Sequence, residues 1–149
     1  MNQLSNQFKL STEKGTLDQA INVNILPCKI DPASVADFSG SNAFAVKLVD
    51  VAGSGIIVDK ATAITDSILG FVVYSTKTNS PVAGDYIRVA STQSVMFMEA
   101  SAAIARGADL EINLTGDKVA TQATGTSIGT ALDKVAADGD LVRVLIKTL

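Results

Sequence analysis

Apolar and polar residues alternate most clearly at the C-terminal end of the chain. The apolar positions there are Val142, Val144 and Ile146. A period of two predicts a strand with one fully apolar face and one mixed face. Residues 138–140, Asp-Gly-Asp, form a turn before it, and residues 127–132 are a second candidate strand. The alanine-rich residues 131–137 are compatible with one helical turn, and the pattern leaves that alternative open.

Shorter stretches of the same kind occur along the whole chain. The candidate strands are residues 25–30, 44–51, 56–58, 66–75, 86–90, 94–100, 110–114 and 118–121. Turn residues separate them at intervals of about ten residues, and no stretch carries a sustained helical period. The sequence therefore predicts a mainly β fold, a compact β-barrel or sandwich-like domain of short antiparallel strands over residues 25–149.

Residues 1–24 have a different composition, dominated by Asn, Gln, Ser and Thr. The spaced apolar residues are Phe8, Leu10, Leu17 and Ile21. These are too few to bury a face, so the sequence predicts an extended polar N-terminal arm. An extended segment of this kind can add to an exposed sheet edge of a neighbouring subunit, with its apolar side chains as anchors.

A short phrase occurs twice. Residues 84–89, GDYIRV, reappear at residues 139–144 as GDLVRV, and a weaker echo, GADLEI, lies at residues 107–112. Each instance is a turn that begins an alternating strand. Common turn chemistry explains most of the similarity, yet the echo favours one β-module that is used repeatedly.

Arg88 and Arg143 occupy the same place in the two copies of this phrase. Arginine is enriched at interfaces, so both could pair with acidic groups of a neighbouring protein. Each could equally pair with the aspartate beside it, Asp85 or Asp140. The sequence leaves the two alternatives open.

The composition argues against several classes of function. The 149 residues include no histidine, no tryptophan and one cysteine, Cys28. Histidine is the commonest general base near neutral pH and the commonest metal ligand, and a lone thiol forms no internal disulfide or thiolate cluster. We therefore expect no enzymatic activity, no catalytic residue, no metal site and no cofactor. A net charge of −3 and the lack of a long apolar run argue against nucleic-acid and membrane partners.

Five segments carry a family resemblance by their order. They are VKLVD (46–50), DSILGFVVY (66–74), AGDYIRVA (83–90), MEASAAIARGADLEI (98–112) and GTSIGTALDKVAADGDLVRVLI (125–146). The ordered set resembles the capsid decoration (cement) proteins of tailed bacteriophages. In that family a glycine-containing strand, an alanine-rich turn, Gly-Asp and a final apolar strand close the domain. Residues 128–132 and 139–144 stand in the first and last of those places.

The resemblance implies a β-barrel-like domain, usually a homotrimer, that binds the outer surface of the expanded icosahedral head and stabilises it. The implied partners are the major capsid protein and further copies of this chain. The implied location is the outer capsid surface of the virion, after synthesis in the host cytoplasm. The candidate interface residues are the arm anchors Phe8, Leu10, Leu17 and Ile21, together with Arg88 and Arg143.

Lys60 supports a competing function. Residues 58–61, Val-Asp-Lys-Ala, resemble the hairpin on which lipoyl and biotinyl carrier domains present their modified lysine, and Gly70 lies about where such domains have their next glycine. Carriers place a Gly-Asp turn before that lysine, and residues 43–55 contain none. The alternative is therefore a carrier domain with Lys60 as the modified residue.

Overall fold

The computed structural model describes residues 14–16, 24–38, 43–73, 81–114 and 117–148. Ten β-strands and no helix occur in that part of the chain, which confirms the predicted mainly β fold. The first five strands are β1 (Ile25–Ile30), β2 (Ala45–Leu48), β3 (Ile57–Lys60), β4 (Gly70–Val72) and β5 (Tyr86–Ala90). The second five are β6 (Val95–Glu99), β7 (Asp109–Asn113), β8 (Lys118–Thr121), β9 (Gly129–Ala131) and β10 (Leu141–Ile146).

The strands form two units. Strands β1 to β5 close into a barrel in the order β1-β3-β2-β4-β5, which we call the first barrel. Strands β6 to β10 form a sheet in the order β6-β10-β9-β7-β8, which we call the second sheet. The predicted antiparallel pairing holds for most neighbours, but β1 and β3 are parallel.

The two units are copies of one module. If the first barrel is read as β1-β5-β4-β2-β3, each strand has its counterpart at the same place in the second sheet. The parallel contact is also repeated, since Ile30 lies opposite Val58 and Ala100 lies opposite Val119. The shared strand order and pairing indicate an internal duplication.

The repeated phrase begins equivalent strands, β5 and β10. Gly84 and Gly139 have φ angles of 87° and 88°, a conformation that glycine adopts without strain. The Gly84 amide donates to the Ile30 carbonyl over 3.1 Å, and the Gly139 amide donates to the Ala100 carbonyl over 2.8 Å. The weaker echo at residues 107–112 leads into β7, the counterpart of β2, so it shares turn chemistry but not position with the other two.

Two clusters of buried side chains form the core. One belongs to the first barrel and includes Phe44, Val58 and Val89. The larger one joins both units, because it contains Phe71 of β4 as well as Leu110 of β7. The shared cluster makes the two units a single packed body.

Two segments differ from the sequence prediction. The predicted strand at residues 66–75 begins only at Gly70, because the Asp66 carboxylate accepts bonds from the Thr62 and Ala63 amides, at 2.9 and 3.0 Å, and closes a loop instead. Its last two residues lie outside the described residues. The alanine-rich stretch 131–137 forms no helical turn. Its Val135 makes an isolated β-bridge with Ile104.

The predicted arm is described only at residues 14–16 and at Asn24. The Gly15 amide donates to the Phe97 carbonyl over 2.7 Å, and the Phe97 amide donates to the Thr16 carbonyl over 2.8 Å. Residues 14–16, which we call the strap, therefore lie on β6 of their own chain. The predicted anchors Phe8, Leu10, Leu17 and Ile21 lie outside the described residues.

Candidate functional site

One side of the first barrel exposes an aromatic ring next to two cationic side chains. Strands β1 and β5 place Pro27 opposite Arg88 and Lys29 opposite Tyr86, and we call these four residues the outer face. The Tyr86 side chain is 77% exposed. The Lys29 ammonium lies 5.6 Å from the centre of the Tyr86 ring, within the range of a cation–π contact.

The alternation of β5 produces this face. Ile87 and Val89 point into the barrel and are 7% and 0% exposed, so Tyr86 and Arg88 point outward. Sequence reasoning identified Arg88 but missed Tyr86. The signal was present, because Tyr86 has the same parity as Arg88 in a strand whose other residues are aliphatic.

A groove borders the outer face. Its volume is about 560 Å³, and its walls include Lys29, Asp31, Val51, Ile57 and Tyr86. The exposed loop between β2 and β3 forms the side opposite Tyr86. This loop spans residues 49–56, whereas the corresponding connection between β7 and β8 spans only residues 114–117. The groove is therefore specific to the first barrel, because the second sheet has no loop of this length at the equivalent place.

The two predicted interface arginines have different surroundings. The Arg143 side chain donates from Nε to Asp133 Oδ2 over 2.9 Å and from Nη2 to Asp133 Oδ1 over 2.8 Å. These hydrogen bonds hold the pKa of Asp133 below its usual value. Asp140, the neighbouring aspartate considered as an alternative partner, accepts bonds from the Ala136 and Ala137 amides.

No partner of the Arg88 side chain occurs among the described residues. Asp85, the other candidate, accepts a bond from the Val82 amide over 2.9 Å. Arg88 is exposed on the outer face, so its charge is directed to solvent. Of the two arginines, Arg88 is the more exposed.

The second sheet closes the equivalent face with its own residues. Phe97, Glu99 and Arg143 stand where the first barrel has Pro27, Lys29 and Arg88. Lys118 pairs with Glu99 over 2.9 Å, Asp133 pairs with Arg143, and the strap binds the main chain of Phe97. Within the described part of the chain, this face therefore carries two ion pairs in the second sheet, whereas the outer face of the first barrel carries the Lys29–Tyr86 contact and no ion pair.

The described residues contain no reactive thiol or metal cluster. Burial raises the pKa of the Cys28 thiol to about 11, which keeps it protonated near neutral pH. Among the residues that the structure describes, no three His, Cys, Asp or Glu side chains come together as a possible metal site. Within the same residues, no helix has the length and apolar character that a membrane span requires.

Lys60 lies in β3 and not at the tip of a hairpin. Its ammonium lies 3.4 Å from an Asp117 carboxylate oxygen, 3.3 Å from the Asp37 carbonyl oxygen and 4.3 Å from the centre of the Phe44 ring. A carrier lysine must swing freely with its prosthetic group. These three contacts hold Lys60 in place and do not fit that role.

Among the known proteins compared with this chain, matches occur in the solved structures. No protein-family model matches the chain, and no curated protein matches it. Among solved structures, the fold is similar to that of the N base of the head fiber gp8.5 of bacteriophage phi29. The similarity has a TM-score of 0.52 at 17% identity and covers 86% of this chain and 98% of that one. The two chains share a fold.

Proposed function

We propose that this chain is a non-enzymatic structural protein of a bacteriophage head, and more specifically a decoration protein that binds the outer surface of the expanded shell. The main support is the similarity of the fold to the head fiber base of bacteriophage phi29, which covers 98% of that chain. The ordered segments that resemble the decoration family support the same role independently. In this proposal the protein acts by binding and brings no catalytic group.

The outer face is the proposed contact with the major capsid protein. Lys29 and Arg88 give a local positive charge to a chain whose net charge is −3, and Tyr86 adds an exposed ring beside Lys29. Arginine and tyrosine are the residue types that most often supply binding energy at interfaces. Charge complementarity therefore selects an acidic patch on the shell as the partner surface.

Addition of the purified protein to emptied, expanded shells tests this role. We expect stoichiometric binding by the wild type and binding about three- to tenfold weaker for Arg88→Ala, with a smaller salt dependence, because a rim cation acts mainly through long-range attraction. Lys134→Ala is the matched control, since Lys134 is also exposed but lies outside the outer face. We expect it to bind like the wild type.

The outcomes separate the two parts of the proposal. Failure of the wild type to bind shells would remove the decoration role. Equal binding by wild type and Arg88→Ala would leave the role but assign it to another surface.

We further propose that the protein is a homotrimer on the shell. Outside the outer face, four large apolar side chains are exposed on the first barrel and its loops, and a cyclic oligomer buries such positions. They are Val35, Leu48, Val51 and Val82. Light scattering should give the mass of three chains for the protein after it has been released from the shells. A single-chain mass both in solution and for protein chemically cross-linked on shells would contradict the trimer.

A further inference from the structure

The two units differ at the contact that closes them, which we call the seam. In the first barrel, β1 and β3 are joined at two register positions, and the Lys29 and Asp31 amides donate to the Ile56 and Val58 carbonyls, each over 2.9 Å. In the second sheet, β6 and β8 share one bridge, where the Ser101 amide donates to the Val119 carbonyl over 2.9 Å. The second seam is therefore the less completely paired of the two.

The strap lies where pairing between β6 and β8 ends. Both main-chain groups of Phe97 are bonded to it, through the Gly15 amide and the Thr16 carbonyl. Pro27 is the counterpart of Phe97 in the first barrel, and proline has no N–H to satisfy. In the second sheet, Phe97 has an N–H at the equivalent position, and an N–H left without an acceptor in a packed site costs free energy. The strap supplies that partner.

Lys14 shows that the strap lies beside both strands of the seam. Its side chain is half-buried and Gly15 is buried. Burial lowers the pKa of Lys14, while the charges of Glu99 at the end of β6 and Asp117 next to β8 act in the opposite direction. Lys118 and Lys60, which pair with these two carboxylates, also act on Lys14, so charged groups of both strands of the seam surround the start of the strap.

We propose that the β6–β8 seam is an acceptor site for an extended peptide segment, that Phe97 provides its main-chain receptor groups, and that the segment it binds is the Lys14–Thr16 strap. The strap closes the second sheet in the way that direct β1–β3 pairing closes the first barrel. When the strap is displaced, the same site accepts the corresponding segment of a second copy of the chain. This inference concerns the fold itself and does not depend on the proposed role on the head.

Amide hydrogen exchange on the full chain tests the proposal. Gly15→Pro removes the N–H that donates to Phe97 and is incompatible with the φ of 82° at this position. We expect the Phe97 and Ser101 amides to exchange about ten- to a hundredfold faster, since two main-chain hydrogen bonds are lost. The Lys29 and Asp31 amides of the first seam should keep their wild-type rates. Gly55→Pro, at an exposed glycine with a φ of 91°, is the matched control.

A synthetic peptide of residues 9–20, added at millimolar concentration, tests the acceptor site directly. In the Gly15→Pro protein it should slow exchange at Phe97 again, and the same peptide with proline in place of Gly15 should not. Unchanged exchange at Phe97 in Gly15→Pro would show that the strap does not close the seam. Absence of any effect of the peptide would show that the seam does not accept the segment.

A second variant covers the case in which Gly15→Pro does not fold. Phe97→Pro removes the receptor donor and gives the seam the residue that its counterpart has. We expect faster exchange at Ser101 with wild-type rates at Lys29. Wild-type exchange at Ser101 in this variant would overturn the proposal by itself.

Discussion

Replacing Gly70 by alanine is expected to lower the free energy of unfolding by about 3 kcal/mol or more, a large fraction of the roughly 5 to 15 kcal/mol that an ordinary domain has. A Cβ at Gly70 would lie 2.2 Å from the Ala90 carbonyl oxygen and 2.7 Å from a Val89 methyl carbon. The oxygen belongs to main chain that is held on its other side, because Ala90 pairs with Ile25 of β1 as well as with β4. The barrel cannot widen at this point without breaking a strand pair.

The duplication supplies the controls for this experiment. Gly129 is the counterpart of Gly70, and its Cβ would lie 2.5 Å from the Leu145 carbonyl oxygen, so Gly129→Ala should also be strongly destabilising. Gly107 has a positive φ but no atom within 4 Å of a Cβ, so Gly107→Ala should cost only about 1 to 2 kcal/mol. Urea denaturation of the three variants measures the difference. If Gly70→Ala costs no more than Gly107→Ala, the close approach of β4 and β5 is not a constraint.

The second expected result is a difference between the two equivalent arginines. Arg143→Ala should destabilise the protein by about 1 to 2 kcal/mol, because it removes a two-pronged contact and leaves the partly buried Asp133 carboxylate without its cation. The guanidinium is partly exposed, and screening by solvent keeps the value in this low range. Arg88→Ala should change the free energy of unfolding by less than about 0.5 kcal/mol.

The pH dependence identifies the cause of that difference. The pKa of Asp133 is lowered in the folded state, so its contribution to stability is fully present above the unfolded value and is lost as the pH falls through the folded one. The gap between wild type and Arg143→Ala should therefore be constant near neutral pH and shrink below the ordinary pKa of 3.8. A gap that stays the same down to pH 2 would assign the effect to packing of the arginine stem.

Local alternation was sufficient to predict several elements. Strands β1, β5 and β8 have the predicted bounds, and Val142, Val144 and Ile146 are the buried face of β10. Each of these strands pairs with its neighbours over most of its length, so the inward residues must be apolar throughout. The apolar pattern at residues 66–75 predicted a strand that begins too early, because the Asp66 side chain closes a loop before β4.

The alternation of apolar and polar residues does not predict how the strands are arranged. A period of two shows which side chains face inward, but it contains nothing about which strand lies beside which. The parallel β1–β3 pair appears only when main-chain partners are known. The repeated phrase at residues 84–89 and 139–144 already favoured a module used more than once, but which strands correspond is visible only in the pairing. Only part of the outer face was predicted, because Arg88 was a candidate from the sequence and Tyr86 was not. The different surroundings of Arg88 and Arg143 were not predictable, because the partner of Arg143 is Asp133, ten positions away on a different segment.

The order in which strands leave the ribosome has a consequence for this topology. Strand β1 needs β5 to close the first barrel, and translation from Ile25 to Ala90 takes about 3 to 13 seconds at ordinary rates. Until β5 has been synthesised, β3 is the only one of the two barrel neighbours of β1 that is present. Once Ala90 has emerged, the first barrel can close while β10, whose sequence resembles that of β5, is still untranslated. Sequential synthesis thereby keeps the two similar strands from competing for the same place.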